Sequence, residues 1–85
     1  MAYALVSTSN FERGLRRLSS SDLDRAQDVV RGIVEDPYSF KELRGKFRHL
    51  RSARFGAHRV IYTVSEARHE VVLLAVEPRG SAYGR

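Results

Sequence analysis

Eighty-five residues at 9.7 kDa allow a single small domain over residues 1–85, because one core already needs at least about 50 residues. Hydrophobic residues at 42% and charged ones at 29% place the chain among globular proteins rather than disordered ones. Fifteen basic against ten acidic residues leave a net charge of +5, and the absence of cysteine excludes a disulfide framework and thiolate-bound zinc.

No run approaches the roughly 18 apolar residues of a membrane span, so no membrane association is expected. Met1-Ala2-Tyr3-Ala4-Leu5-Val6 has no basic segment ahead of its apolar stretch and is not expected to be a signal peptide. A cysteine-free chain of this kind fits a reducing cytoplasm.

Tyr3 to Val6 is short and apolar enough for a first strand. Ser9 then precedes Glu12 at the spacing of a capping box, and Phe11, Leu15 and Leu18 recur at helical period. Arg13, Arg16 and Arg17 face away from that stripe. Gly14 inside the helix costs about 1 kcal/mol against alanine, so this helix must draw its stability from packing. Ser19-Ser20-Ser21 breaks it, and a second helix is expected from Ser21, with Asp22 and Asp24 where the helix dipole favours anions. Leu23, Ala26, Val29, Val30, Ile33 and Val34 keep the period until Pro37 ends it.

The second half is strand-rich. Phe47 to Ala53 is a weaker candidate, basic enough to keep one face wet. Arg59–Ser65 and Glu70–Glu77 are rich in β-branched residues, and Glu66-Ala67-Arg68-His69 between them reads as a hairpin turn. Both alternating sets of the last strand are apolar, which predicts a central strand buried on two faces. The expected architecture is α+β: an N-terminal strand and a two-helix hairpin packed on a small antiparallel sheet.

Chemistry is constrained mainly by exclusion. His49, His58 and His69 have no ligand spacing for a metal, and no cofactor motif is present. Gly45 and Gly56 are isolated, so no phosphate-cradling loop exists. There is no nucleophile elbow and no paired-carboxylate site. What remains is the run from Arg44 to Arg59, which holds Arg44, Lys46, Arg48, Arg51, Arg54 and Arg59 without one acid. A solvated face usually carries counter-charges, so this one reads as an anion-binding surface for nucleic acid or an acidic partner. Thirteen of the fifteen cations are arginine, whose planar fork grips phosphate bidentately.

The segments Leu43-Arg44-Gly45, Leu50-Arg51-Ser52-Ala53-Arg54-Phe55-Gly56, His58-Arg59-Val60-Ile61-Tyr62 and Glu77-Pro78-Arg79-Gly80-Ser81-Ala82-Tyr83 resemble, in order and spacing, the RelE branch of the RelE/ParE toxin superfamily. The Ser52-Ala53-Arg54 form is similar to that of actinobacterial members. The resemblance covers essentially the whole chain. It implies a fold similar to small microbial ribonucleases and the toxin of a type II toxin–antitoxin system, an endoribonuclease that cleaves messenger RNA in the ribosomal A site. It also implies a RelB-like antitoxin with an acidic segment, the 70S ribosome as a partner, and operator DNA contacted only through the antitoxin.

By motif position, the resemblance makes Arg54, Arg59, Arg79 and Tyr83 the candidate catalytic residues. The arginines would neutralise the scissile phosphate and the tyrosine would orient a base. Arg44, Lys46, Arg48 and Arg51 are candidate RNA-binding residues. His58 has the ordinary pKa of a general base, but it adjoins Arg59 on a strand and should point to the opposite face, so it is read as structural. Two alternatives stand beside this reading: a ParE-like poison of DNA gyrase, and a decayed toxin that acts only with its antitoxin as a co-repressor.

Overall fold

The computed structural model describes residues 3–78 and has the expected order of a strand, two helices and a strand-rich second half. The elements are β1 (Ala4–Ser7), α1 (Ser9–Arg16), α2 (Ser20–Glu35), β2 (Lys41–Glu42), β3 (Arg51–Phe55), β4 (His58–Ser65) and β5 (Glu70–Pro78). A single 3₁₀ turn, Gly45–Phe47, lies between β2 and β3. The sheet order is β1-β5-β4-β3-β2. Four strands pair antiparallel, but β1 joins β5 in parallel, with Leu5 beside Val71. The sheet is therefore mixed rather than wholly antiparallel. Parallel neighbours need a connection of a dozen or more residues, and here it runs through both helices and the strands β2 to β4.

Local chemistry sets the helix starts. Thr8, one residue before the expected cap, accepts the Phe11 amide at 3.2 Å, and its hydroxyl donates to the Leu73 carbonyl at 2.9 Å. One side chain thus caps α1 and ties it to β5. Glu12 accepts from Ser7 rather than closing a box on Ser9. Ser19 caps α2 by accepting the Asp22 amide at 3.2 Å, so this helix begins at Ser20, one residue earlier than expected. It ends before Pro37, which cannot donate a helical hydrogen bond.

Gly14 has a packing reason. A methyl group there would come within 3.0 Å of Val76 Cβ, so glycine lets α1 settle directly on β5. Between the helices and the sheet lies the main core: Phe11, Ala26 and Ile33 against Ala53, Phe55, Val60, Tyr62, Val71 and Leu73. β5 lies between β1 and β4, as its two apolar faces predicted. A bulge shifts its register, so that Ile61 pairs with Ala75 and Tyr62 with Leu73, and Leu74 is left over. The bulge brings Leu74 and Ala75 together onto the far face of the sheet.

That far face is less open than a basic strand suggested. The segment from Leu43 to Leu50 folds across it, and Leu43, Phe47 and Leu50 pack on Ile61, Leu74 and Ala75. Phe47 consequently sits in the 3₁₀ turn and the strand starts at Arg51, not Phe47. Within β3, Arg54 alone is exposed.

Candidate functional site

The β3–β4 hairpin gathers the central cations. Its turn needs a residue in the left-handed region, and Gly56 supplies it at φ 55°, where a Cβ would be strained. The register that follows sets Arg54 directly opposite Arg59, and Arg59 opposite Glu77 of β5. Directly opposite residues of antiparallel strands share a face, so Arg54, Arg59 and Glu77 form one row across the sheet. Ala53, Phe55, Val60 and Val76 pack toward the helices, which puts the row on the other side. Like charges directly opposite one another cost stability. Glu77 flanks Arg59 with a compensating charge.

The two arginines differ in surroundings. Arg54 is exposed, whereas Arg59 is only 7% exposed. Burial strips away water that would screen the guanidinium, so an anion reaching Arg59 meets a stronger field than one at Arg54. Arg44, Lys46 and Arg48 are exposed on the segment that covers the far face. Their apolar neighbours pin that segment down and leave the cations outward; Lys46 Nζ lies 5.4 Å from the Phe47 ring centroid. Thr63 holds the same segment by donating to the His49 carbonyl at 2.8 Å. Among the described residues, Arg44, Lys46, Arg48 and Arg54 form no ion pair.

Arg51 stands apart from this group. It pairs with Tyr62 across the strands, donates to the Phe40 carbonyl at 2.8 Å, and lies 4.9 Å over the Tyr38 ring. Its guanidinium fastens the approach to β2, on the side of the sheet away from the arginine row. Arg79 and Tyr83 lie outside the described residues.

His58 does point away from Arg59. Its ring stacks on Phe55 at 5.5 Å on the helix side, and its Nδ1 lies 3.9 Å from Asp22 Oδ2. Asp22 Oδ1 also accepts from Arg25 at 3.2 Å. The first turn of α2 therefore braces the back of the hairpin whose front carries Arg54 and Arg59. Sequence reading missed Glu77 as a member of the row, because membership follows from strand register and no local signal marks it.

At the opposite end of β4 the electrostatics are different. Glu66 accepts the hydroxyls of Tyr3, at 2.8 Å, and of Tyr38. These bonds hold the Glu66 carboxyl below its usual range and push the Tyr38 phenol up to about 12. This cluster clasps β1, the segment after α2 and the β4–β5 turn together. It offers no catalytic group to the arginine row. Among the described residues, no three histidine, cysteine or carboxylate side chains come together as metal ligands.

No protein-family model matches the chain. A chain of the toxin–antitoxin complex RelBE2 from Mycobacterium tuberculosis superposes with a TM-score of 0.84 and 26% identity, covering 93% of this chain and 100% of that one. The archaeal RelE–RelB complex from Pyrococcus horikoshii gives 0.76 and 26%, covering 96% and 100%. The α+β fold is thus similar to that found in RelE–RelB toxin–antitoxin complexes. In sequence, Toxin RelE of Mycobacterium tuberculosis is 29% identical over 83 residues, 95% of this chain and 86% of that protein. In sequence and in fold the chain is thus similar to RelE toxins.

Proposed function

We propose that this toxin is an endoribonuclease that cleaves messenger RNA on the ribosome and is held inactive by a RelB-like antitoxin. The observation that carries the reading is the pairing of Arg54 with Arg59 on one sheet face, bordered by exposed Arg44, Lys46 and Arg48 with no acid from Arg44 to Arg59. The complexes that share the fold are toxin–antitoxin pairs, and a cationic face of this kind suits an acidic antitoxin segment.

In this mechanism the 2′-hydroxyl of the message attacks the adjacent phosphorus. A bond forms between O2′ and phosphorus, and the bond to the 5′-oxygen breaks, leaving a cyclic phosphate and a free 5′-hydroxyl. The reaction needs charge stabilisation on the pentavalent phosphate, a base for the 2′-hydroxyl and an acid for the leaving oxygen. Arg54 and Arg59 meet the first need, with Arg79 as a third cation by its place in the motif, because a guanidinium keeps its charge and matches phosphate geometry. None of them is a base, since arginine does not deprotonate. His58 faces the helices. The remaining rate gain falls to positioning: a ribosome-held message presents its 2′-hydroxyl in line, with Tyr83 stacked on a base, and orientation alone supplies several kcal/mol.

Single-turnover cleavage of one message, free and ribosome-bound, tests this. Cleavage is expected on ribosomes and nearly absent on free RNA. Equal rates on both would replace the ribosome-dependent mechanism with a free ribonuclease. Growth arrest with gyrase-linked DNA damage and intact message would mark a ParE-like poison, and no effect at all a decayed toxin.

A further inference from the structure

We propose that Glu77 is the general base of the arginine row, taking the proton of the attacking 2′-hydroxyl; this deepens the RNA-cleaving reading above and rests on it. Strand register puts the carboxylate there. Glu77 is opposite Arg59, and Arg59 is opposite Arg54, so the three side chains leave one face of neighbouring strands about 4.8 Å apart. A phosphate gripped by the two guanidiniums has Glu77 as the next side chain along the row. Glu77 is half-buried. Ile61 and Ala75, two residues along from Arg59 and Glu77, lie under the segment from Leu43 to Leu50, whose Arg44, Lys46 and Arg48 are exposed. The carboxylate therefore borders the cationic surface without being covered by it.

Four other acids show what a structural duty looks like in this chain. Glu12 accepts from Ser7, Asp22 from Arg25, Asp28 from Arg31, and Glu66 from Tyr3 and Tyr38. No side-chain hydrogen bond or ion pair among the described residues holds Glu77, although Arg59 stands directly opposite. Among the described acids without such a contact, Glu77 is the one whose register faces the arginine row. Its oxygens are open to an incoming hydroxyl. An ionised carboxylate only accepts hydrogen bonds, which is the state a base needs.

The O2′–H bond breaks and its proton passes to a Glu77 carboxylate oxygen, while the electron pair left on O2′ forms the bond to phosphorus. The bond from phosphorus to O5′ breaks, and O5′ takes a proton from water. Glu77 returns its proton to solvent once the cyclic phosphate leaves. Charge moves along the row in the same step, because the carboxylate becomes neutral as the phosphorane gains negative charge. Arg59 faces a carboxylate before the transfer and the phosphorane after it. Its field thus stabilises the transition state more than the ground state. Glu77 acts only on a hydroxyl already held in line, so the ribosome keeps its positioning role.

The test is single-turnover cleavage of a ribosome-bound message at saturating toxin, with the half-saturating toxin concentration read from the same series. Glu77→Gln keeps the shape of the side chain, and circular dichroism verifies the fold of each variant. Its rate is expected to fall by about 10²–10³, within the range of general acid–base catalysis. Half-saturation should stay the same or drop, because a negative charge has left a phosphate-binding face. Glu77→Ala should lose as much and regain rate in proportion to added acetate, which replaces the missing carboxylate; the parent in the same acetate is the control. An unchanged rate in Glu77→Gln would overturn the proposal and leave Glu77 as a counter-charge to Arg59, with the cleavage reading intact. So would a slow Glu77→Ala that acetate does not rescue. A parent that cuts no message on ribosomes would instead remove the cleavage reading itself, and the base assignment with it.

Discussion

Arg54 and Arg59 face each other across the hairpin, but they carry different burdens. Arg54 is exposed and contributes charge without packing, while Arg59 is buried and contributes both. Arg54→Ala is therefore the cleaner test of the chemistry. Loss of one charge-stabilising donor typically costs about 10²–10³ in rate, so ribosome-bound cleavage should fall by about that factor. Stability should rise by about 0.5 kcal/mol at the same time, because the repulsion from Arg59 is relieved. Single-turnover kinetics and urea unfolding of the same preparation check both halves; loss of activity together with loss of stability would contradict the assignment. Tyr62 supports the site from the other face. It is fully buried, its hydroxyl donates to the Pro37 carbonyl at 2.6 Å, and burial pushes its phenol up to about 12. A raised folded pKa gives stability that is whole below the ordinary value near 10 and is lost as pH climbs toward 12. Tyr62→Phe should cost about 1 kcal/mol at neutral pH and flatten part of the alkaline decline of the parent, as read by urea unfolding from pH 7 to 11.

The hairpin of β3 and β4 owes its pose to the element behind it. Phe55 and His58 stack on its helix side, and Asp22 and Arg25 of α2 lie against its tip, close enough that a Cβ on Gly56 would meet both at 3.4–3.5 Å. On the other flank α1 packs on β5 through the gap at Gly14. Alanine there would raise helix propensity by about 1 kcal/mol, but its methyl would meet Val76 Cβ at 3.0 Å. Val76 is on a strand held between two neighbours and has little room to yield. Gly14→Ala is accordingly expected to lower stability by about 1–2 kcal/mol, the cost of overpacking. Denaturant unfolding decides the sign, and a gain would mean that α1 and β5 separate easily.

A small cysteine-free protein with a +5 charge has little reserve for holding its cations apart. The anion that relieves them in the resting cell is, in the reading above, the antitoxin. The same partner has apolar surface to cover, since a groove of about 360 Å³ opens between β1 and the helices, lined by Leu5, Phe11, Leu15 and Val30. Binding should combine both contributions. Antitoxin affinity is expected to weaken clearly between low and high KCl, because screening removes the charge contribution, and to level off where the apolar contribution remains. Isothermal titration across a salt series measures this. Affinity independent of salt would assign the interface to apolar contacts alone.

The sequence carried most of the elements and named part of the candidate site. The α1 and α2 stripes were legible because each helix buries one face, and β4 and β5 were legible because β-branched runs broken by Glu66–His69 leave few alternatives. The order of motif arginines marked Arg54 and Arg59. Other features depended on which strand meets which. The parallel seat of β1, the two-residue β2 and the covering of the far face by Leu43, Phe47 and Leu50 arise from pairings between distant segments, to which local periodicity is blind. The same holds inside the cationic run. Arg51, Arg54 and Arg59 look alike as letters, yet strand alternation and register turn Arg51 to the Phe40 carbonyl, leave Arg54 in solvent and bury Arg59 beside Glu77. A charge run states how many cations a segment has. Their faces and partners are set by the pleat and by the strands on either side.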